Sequence, residues 1–239
     1  MRFMPGFNEI AEARKQGRAA LDEFTGKRLL ASFGIGVPKS LVIQDATEAA
    51  AACGKLKPPL VLKVVSPDIL HKSDAGGVKV GLRNADEVEE AVRAMMKRPA
   101  IENARIDGLL LEEMAPAGLE IVVGGLRDPQ FGPLVMVGLG GIFVEVLADV
   151  SFRICPIARL DAEEMLDELK GAVLFRGARG RKPVSREGIV DVLLKVGGEK
   201  GLMMMHGDDI AEADINPIIV SEHAAVAVDA RFVLTQPKN

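Results

Sequence analysis

The chain has 239 residues, 48% hydrophobic and 27% charged, with a formal net charge of −4. That describes a globular protein of one large domain or two lobes, long enough to bury a core without disulfides or metals. It excludes a global basic field that would recruit nucleic acid, and the absence of Trp and Tyr leaves only Phe for stacking on single strands. No apolar run approaches the length of a membrane span, and the start, MRFMPGFNEIAEARKQG, lacks the apolar core of a signal peptide. Cys53 and Cys155 make no CxxC pair, so a reducing, cytoplasmic setting is expected.

Residues 1–17 read as a loose lead-in. Leu21, Phe24, Leu29, Leu30 and Phe33 then fall close to helical spacing, and Gly34 and Gly36 end the run. Leu41-Val42-Ile43 is a short strand. Asp45-Ala-Thr-Glu48 has the form of a capping box before an alanine-rich helix. Leu60 to Gly81, LVLKVVSPDILHKSDAGGVKVG, reads as strand, loop and strand. Asn84-Ala-Asp-Glu87 caps a helix whose Val88, Ala91, Val92, Met95 and Met96 share one face. GLLLEEM (108–114) is a buried strand ending in two acids, and LEIVVGG (119–125) is a strand carrying Glu120.

Leu134 to Val137 is a further strand, GLGG (138–141) a turn, and residues 142–154 hold strand-like segments. Asp161 opens a helix, RGARGRK (176–182) is a basic loop, and Ser185 starts another helix. AEADINPIIV (211–220) pairs as a hairpin with residues 224–228, and the chain after Leu234 reads as a tail. Regular strand–helix–strand alternation stops after residue 108, which favours two α+β lobes over a doubly wound parallel sheet. The expected division is a lead-in (1–17), a first lobe (18–114), a second lobe (115–235) and a tail (236–239).

Several features carry chemistry. Lys63 closes an apolar run, where a point charge can reach a polyphosphate or simply be solvated. Gly76-Gly77 lets backbone approach phosphates or merely marks a turn. His71, between them, offers a ring nitrogen that is nucleophilic at neutral pH. No GxxxxGK[ST] or GxGxxG spacing is present. Asp214 and Asn216 alternate along one strand and so share a face, with Asp229 on the partner strand. Such oxygens suit Mg²⁺, which shares its shell with substrate phosphates, and equally suit a solvated hairpin. His206 and His223 have no metal-ligand partner at useful spacing.

The segments VLKVVSPDILHKSDAGGVKVGL, LLLEEMAPAGLEIVVG, FGPLVMVGLGGIFVEVLADVSFR and ADINPIIV, in that order, closely resemble the ATP-grasp β subunit of ADP-forming acyl-CoA synthetases. These enzymes, also called acetate–CoA ligases (ADP-forming), are relatives of succinyl-CoA synthetase. The resemblance spans about residues 20 to 235. It implies an ATP-grasp fold of two α+β lobes closing on ATP or ADP. It places Lys63 at the phosphates with the backbone around Ser73, Gly76 and Gly77. Glu112, Glu113 and Met114 would line the adenine hinge, largely through backbone groups, and Glu120 would hold the ribose. Asn216 and Asp229 would carry Mg²⁺. His71 would take a phosphoryl group from a CoA-binding α subunit, in an α₂β₂ assembly, and pass it to ADP, with Asp214 near the phosphohistidine. Close relatives often have Glu at the Asp214 position, where this chain has the shorter Asp. Two other readings stay open: a stand-alone ATP-grasp carboxylate ligase, which would not need His71, and a nucleotide-sensing module without turnover.

Overall fold

A computed structural model describes residues 6–69, 71–141, 148–177 and 182–236. Its strands, in chain order, are Ala20–Leu21 (β1), Ser40–Ile43 (β2), Leu60–Val65 (β3), Val78–Leu82 (β4), Gly108–Glu113 (β5), Leu119–Asp128 (β6), Gly132–Leu139 (β7), Val150–Ile154 (β8), Ile210–Val220 (β9), Ala225–Ala227 (β10) and Arg231–Leu234 (β11). They build two sheets whose strand pairs all run antiparallel. With their helices they make the α+β class expected from the sequence. The chain divides into two compact units. The smaller is Pro38–Ala115, and the larger joins the chain up to Val37 to the chain from Pro116 onward.

The smaller unit has strand order β2-β5-β3-β4. All six residues of β3 are buried, the five apolar ones and Lys63 alike, as suits a central strand. Leu60, Leu62 and Val64 form one face of β3 and share a core with Leu109 and Leu111 of β5. Helix Ala85–Met96 covers that core. Its first turn is closed by a reciprocal cap: Asn84 Oδ1 accepts from the Glu87 N–H, and the Glu87 carboxylate accepts from the Arg83 N–H. Val88, Ala91, Val92 and Met95 point inward, whereas Met96 is 37% exposed. Met95 takes the core position of the last turn, which turns its neighbour outward.

The larger unit has strand order β1-β11-β9-β6-β7-β8, with β10 also pairing β9. Ile121 and Val123 of β6, Val135 and Val137 of β7 and Ile215 of β9 join the same core as Ile189, Val190 and Leu193 of helix Arg186–Gly197. Ser185 caps that helix by accepting the Gly188 N–H at 3.0 Å. Helix Arg159–Glu168 begins two residues before Asp161, whose carboxylate accepts the Ala158 N–H at 2.7 Å. β6 and β7 both run longer than the apolar stretches that announced them.

Three expectations change. The lead-in holds a helix, Phe7–Lys15, with Ile10 and Ala13 each only 4% exposed. Residues 18–37 belong with the larger unit, because Leu29, Leu30 and Ile35 lie in its core and β1 pairs β11. Thr235 is bonded into the body: its N–H donates to Asp209 O at 2.9 Å, and its hydroxyl accepts from Arg14 at 3.1 Å. Of the basic loop, residues 178–181 lie outside the described residues, while Lys182 pairs with Glu222 at 3.0 Å. The strand-like stretch 142–154 is β8 at its end, with 142–147 outside the described residues. Among the described residues no helix is long and apolar enough to cross a membrane.

Candidate active site

In the smaller unit the connection from β3 to β4 carries His71. Ser66 Oγ donates to Arg105 O at 2.6 Å and the Asp68 carboxylate accepts the Arg105 N–H at 2.7 Å, so the loop leaves the sheet tied down. Ile69, 9% exposed, plugs into the core. The return is a closed turn. Ala75 N–H donates to His71 O at 3.2 Å, Gly76 N–H to Ser73 O at 3.0 Å and Gly77 N–H to Lys72 O at 2.7 Å. Gly77 O then accepts the Val64 N–H at 2.8 Å, joining the turn to the strand of Lys63. The N–H groups of Gly76 and Gly77 thus close the turn itself.

The two glycines serve for different reasons: Gly76 has φ +67°, a backbone conformation that side-chain-bearing residues rarely adopt, and a Cβ on Gly77 would meet Val64 Cγ1 at 2.4 Å. His71 and Ser73 stand exposed on this scaffold.

Lys63 is not a solvated strand-end lysine. Its ammonium lies 2.7 Å from Glu112 Oε1, with side chains 9% and 2% exposed. Lys63 faces Leu110 and Glu112 faces Val61 across the β3–β5 ladder, so the two are diagonal neighbours on the sheet face away from the helix-covered core. The Glu112 side chain is thus Lys63's partner, while its expected hinge role was assigned largely to backbone groups. The signal for this in the sequence was an acid inside LLLEE, an otherwise apolar buried strand. Glu113 Oε1 accepts the Lys57 N–H at 3.0 Å. The backbone N–H groups of Glu113 and Met114 donate to Lys39 O and Pro59 O at 3.0 and 2.9 Å, and the Met114 side chain is exposed.

The larger unit carries the remaining residues. Glu120 is exposed on β6 opposite Ile219, and Gly140 donates its N–H to Glu120 O at 2.8 Å. Asp214 lies on β9 between Gly124 of β6 and Arg231 of β11. Ile121 faces Ile218 but Val123 faces Ile215, so β9 holds one extra residue between them, at Asn216-Pro217. That bulge explains a proline in a central strand, since Pro has no N–H for the ladder. The exposed Asn216 keeps the outward phase of Asp214, with Ala213 and Ile215 inward before it, and the extra residue shifts the phase so that Ile218 and Val220 point inward after it.

Asp229 is not on the hairpin partner strand, which ends at Ala227 opposite Ile218. It lies in the connector to β11, held beside the bulge by the Val228 N–H donating to Pro217 O at 3.1 Å. Its Oδ1 accepts the Ala230 N–H at 2.8 Å. Burial first, then the charges of Glu212 and Asp229, raise the Asp214 carboxyl above the usual range, against the opposing pull of Arg231. Among the described residues no group of three or more His, Cys, Asp or Glu is placed to hold a metal unaided. Two crowded carboxylates and an amide oxygen do fit Mg²⁺, which takes one or two carboxylates and completes its shell with phosphate and water.

His206 is a core histidine, 1% exposed, edge-on to Phe33 and 3.4 Å from Asp209. His223 is exposed in the β9–β10 turn.

A family model described as an ATP-grasp domain matches residues 12–234. The chain is 47% identical over 228 residues to the acetate–CoA ligase [ADP-forming] I subunit beta of Pyrococcus furiosus, covering 95% of this chain and 97% of that one. It superposes with a TM-score of 0.89 and 42% identity on an acetyl-coenzyme A synthetase 1 chain of Ca. Korarchaeum cryptofilum, solved with coenzyme A, Ca-AMPCP and HgCl⁺, covering 95% of this chain and 99% of that one. Another structure of that synthetase, with coenzyme A and Mg-AMPPCP and a phosphohistidine segment pointing towards the nucleotide-binding site, matches with a TM-score of 0.83 and 41% identity over 96% of this chain and all of that one. The chain belongs to the ATP-grasp family, among the β subunits of the ADP-forming acetate–CoA ligases.

Proposed function

We propose that this chain is the nucleotide-binding, phosphoryl-transferring β subunit of an ADP-forming acyl-CoA synthetase. With a CoA-binding α subunit, in an α₂β₂ assembly in the cytoplasm, it converts acyl-CoA, ADP and phosphate to carboxylic acid, CoA and ATP. The observation that carries this reading is His71: an exposed imidazole at the head of a closed turn that runs into the strand beside Lys63.

The residues divide the work. A neutral ring nitrogen of His71 attacks the phosphorus of the phosphohistidine on the α subunit. A new N–P bond forms as the partner's N–P bond breaks, and the phosphoryl group moves to this chain. A terminal oxygen of ADP then takes that phosphorus, the N–P bond to His71 breaks, and ATP results. The Lys63 ammonium meets the nucleotide phosphates, with the turn at Ser73, Gly76 and Gly77 setting how closely backbone can approach them. Glu112, Glu113 and Met114 line the adenine, largely through backbone groups, and Glu120 holds the ribose hydroxyls. Asp214 stabilises the charged imidazole. Asn216 and Asp229 hold Mg²⁺, which when bound neutralises phosphate charge.

The test uses the assembled α and β chains with labelled ATP and Mg²⁺, run towards acyl-CoA. The β chain gains label that is labile in acid and stable in base, and His71→Ala loses both the label and net synthesis while still binding Mg-ADP. Near-normal turnover in His71→Ala and His71→Asn would instead make the chain an ordinary ATP-grasp ligase.

A further inference from the structure

We infer that the bare apolar face of β6, β7 and β8 is the docking surface for the CoA-binding α subunit, at the segment beside its phosphohistidine. The inference rests on the partner reading above and adds the surface that the partner covers.

Its starting point is β8, the last strand in the sheet order, whose polarity is inverted. Ser151 and Arg153 face the same way as the core residues Val137 and Val135 opposite them. Both bond Glu168 of helix Arg159–Glu168, Arg153 Nη1 at 3.0 Å. Phe152 and Ile154 face the other way and stand 56% and 53% exposed. A strand with one side in water normally keeps its apolar side for the core. The register carries the pattern across the sheet. Ile154 faces Leu134, Leu134 faces Leu126, and Phe152 faces Met136. Leu126 is 49% exposed, and Leu134 and Met136 are half-buried. Single exposed apolar residues are ordinary, but two adjoining rows of them form the contiguous kind of patch that marks an interaction site.

The same rows continue into β9 and point to the occupant. The Phe152–Met136 row runs through Gly124 to Asp214, and the Ile154–Leu134–Leu126 row runs to the exposed Glu212. The patch therefore borders the acidic spot where Asp214 is assigned to the imidazole that the α subunit brings. Gly124 leaves the row without a side chain between Asp214 and Met136, and a Cβ there would stand 3.1 Å from Met136 Cε. The nucleotide does not account for the patch. Its ribose contact, Glu120, precedes Leu126 on β6 by 126 − 120 = 6 residues, about 20 Å along a strand. An apolar centre with a charged margin is the anatomy of a protein interface, and a partner presenting a histidine is the one that uses an acid at the border.

The test compares the wild-type chain with Phe152→Ser, Phe152→Ser/Ile154→Ser and a control, Leu160→Ser. Leu160 is 65% exposed on helix Arg159–Glu168, which covers the opposite face of the sheet. Calorimetry measures Kd for the purified α subunit and, separately, for Mg-ADP. Phe152→Ser is expected to weaken α binding about thirtyfold, the scale of an aromatic interface anchor, and the double variant further. Mg-ADP binding and Tm should be unchanged, and acyl-CoA synthesis should return when α is added in excess. Wild-type affinity for α in the double variant would overturn the inference. Equal weakening by Leu160→Ser, or Mg-ADP binding that falls along with α binding, would overturn it as well. Sedimentation tests the other occupant: a wild-type dimer that the double variant splits, with α binding intact, would assign the face to a second copy. A wild-type chain that binds Mg-ADP but no α subunit would remove the partner reading itself. Should Phe152→Ser fail to fold, hydrogen exchange of the wild-type chain decides. The α subunit should slow exchange in β8 and leave helix Arg159–Glu168 unchanged, and an unprotected β8 would sink the inference.

Discussion

Two charged spots, one in each compact unit, are handled in opposite ways. In the smaller one the buried cation is already matched, Lys63 against Glu112. In the larger one Asp214 is pushed up by burial and by its acidic neighbours Glu212 and Asp229. The larger unit is not poor at satisfying acids elsewhere. Its buried Asp149 accepts the Lys170 and Gly171 N–H groups at 2.7 and 2.9 Å. The crowding at Asp214 is therefore local, at the β9 bulge. One unit holds a compensated buried cation at this spot, and the other a local crowding of acids.

The largest expected effect is on that crowding. Asp229→Ala and Asn216→Ala should each weaken Mg-ADP by about tenfold or more, the scale seen when metal sites are disturbed, and leave metal-free ADP nearly unchanged. Calorimetry with and without Mg²⁺ decides it: equal losses in both conditions would break the contrast between the units.

The next effect lies in the smaller unit. Gly77→Ala drives a Cβ to 2.4 Å from Val64 Cγ1 and should cost about 1–3 kcal/mol of stability, as overpacking does. Urea unfolding of the variant measures this, and an unchanged midpoint would show that the turn gives way without cost.

The smallest effect tests the sign of the Asp214 shift. The folded state raises its carboxyl pKa, so it binds that proton more tightly than the unfolded chain does. Ionised Asp214 thus costs the fold stability once pH has risen through the raised value, and costs none below the unfolded value. Asp214→Asn should raise Tm modestly at pH 7 without Mg-ADP, and the gain should fade as pH falls into the ordinary carboxylate range. A gain that persists in acid would assign it to something other than charge.

What could be read from the sequence follows the range of the interaction. The β3 run, the Asn84 cap and the 211–220 strand are local patterns, and the structure contains them. Helix Phe7–Lys15 is hidden in the sequence because FNEIAEARK is mostly polar, and the buried Ile10 and Ala13 gain meaning only from the core they enter. Asp229 was placed on a strand because the spacing permits a longer hairpin. The bulge at Pro217 and the end of β10 at Ala227 decide otherwise. The Lys63–Glu112 pair joins residues 49 positions apart, by 112 − 63, through a β3–β5 register that single-strand alternation does not encode.

The discontinuous make-up of the larger unit has a consequence for the order in which a nascent chain can fold. The smaller unit is one uninterrupted stretch, complete once Ala115 has been synthesised. The larger unit is not. Leu29 and Leu30 reach their core only beside partners such as Ile215 and Phe232, and β1 pairs with β11 at the far end of the sequence. During synthesis from the N-terminus, helix Glu23–Ser32 must therefore carry two fully apolar core residues unburied while most of the protein is made. The smaller unit would already be folded in the middle of an unfinished chain. The N-terminal part of the larger unit thus stays without its strand partners until the residues from Ile210 onward have been made.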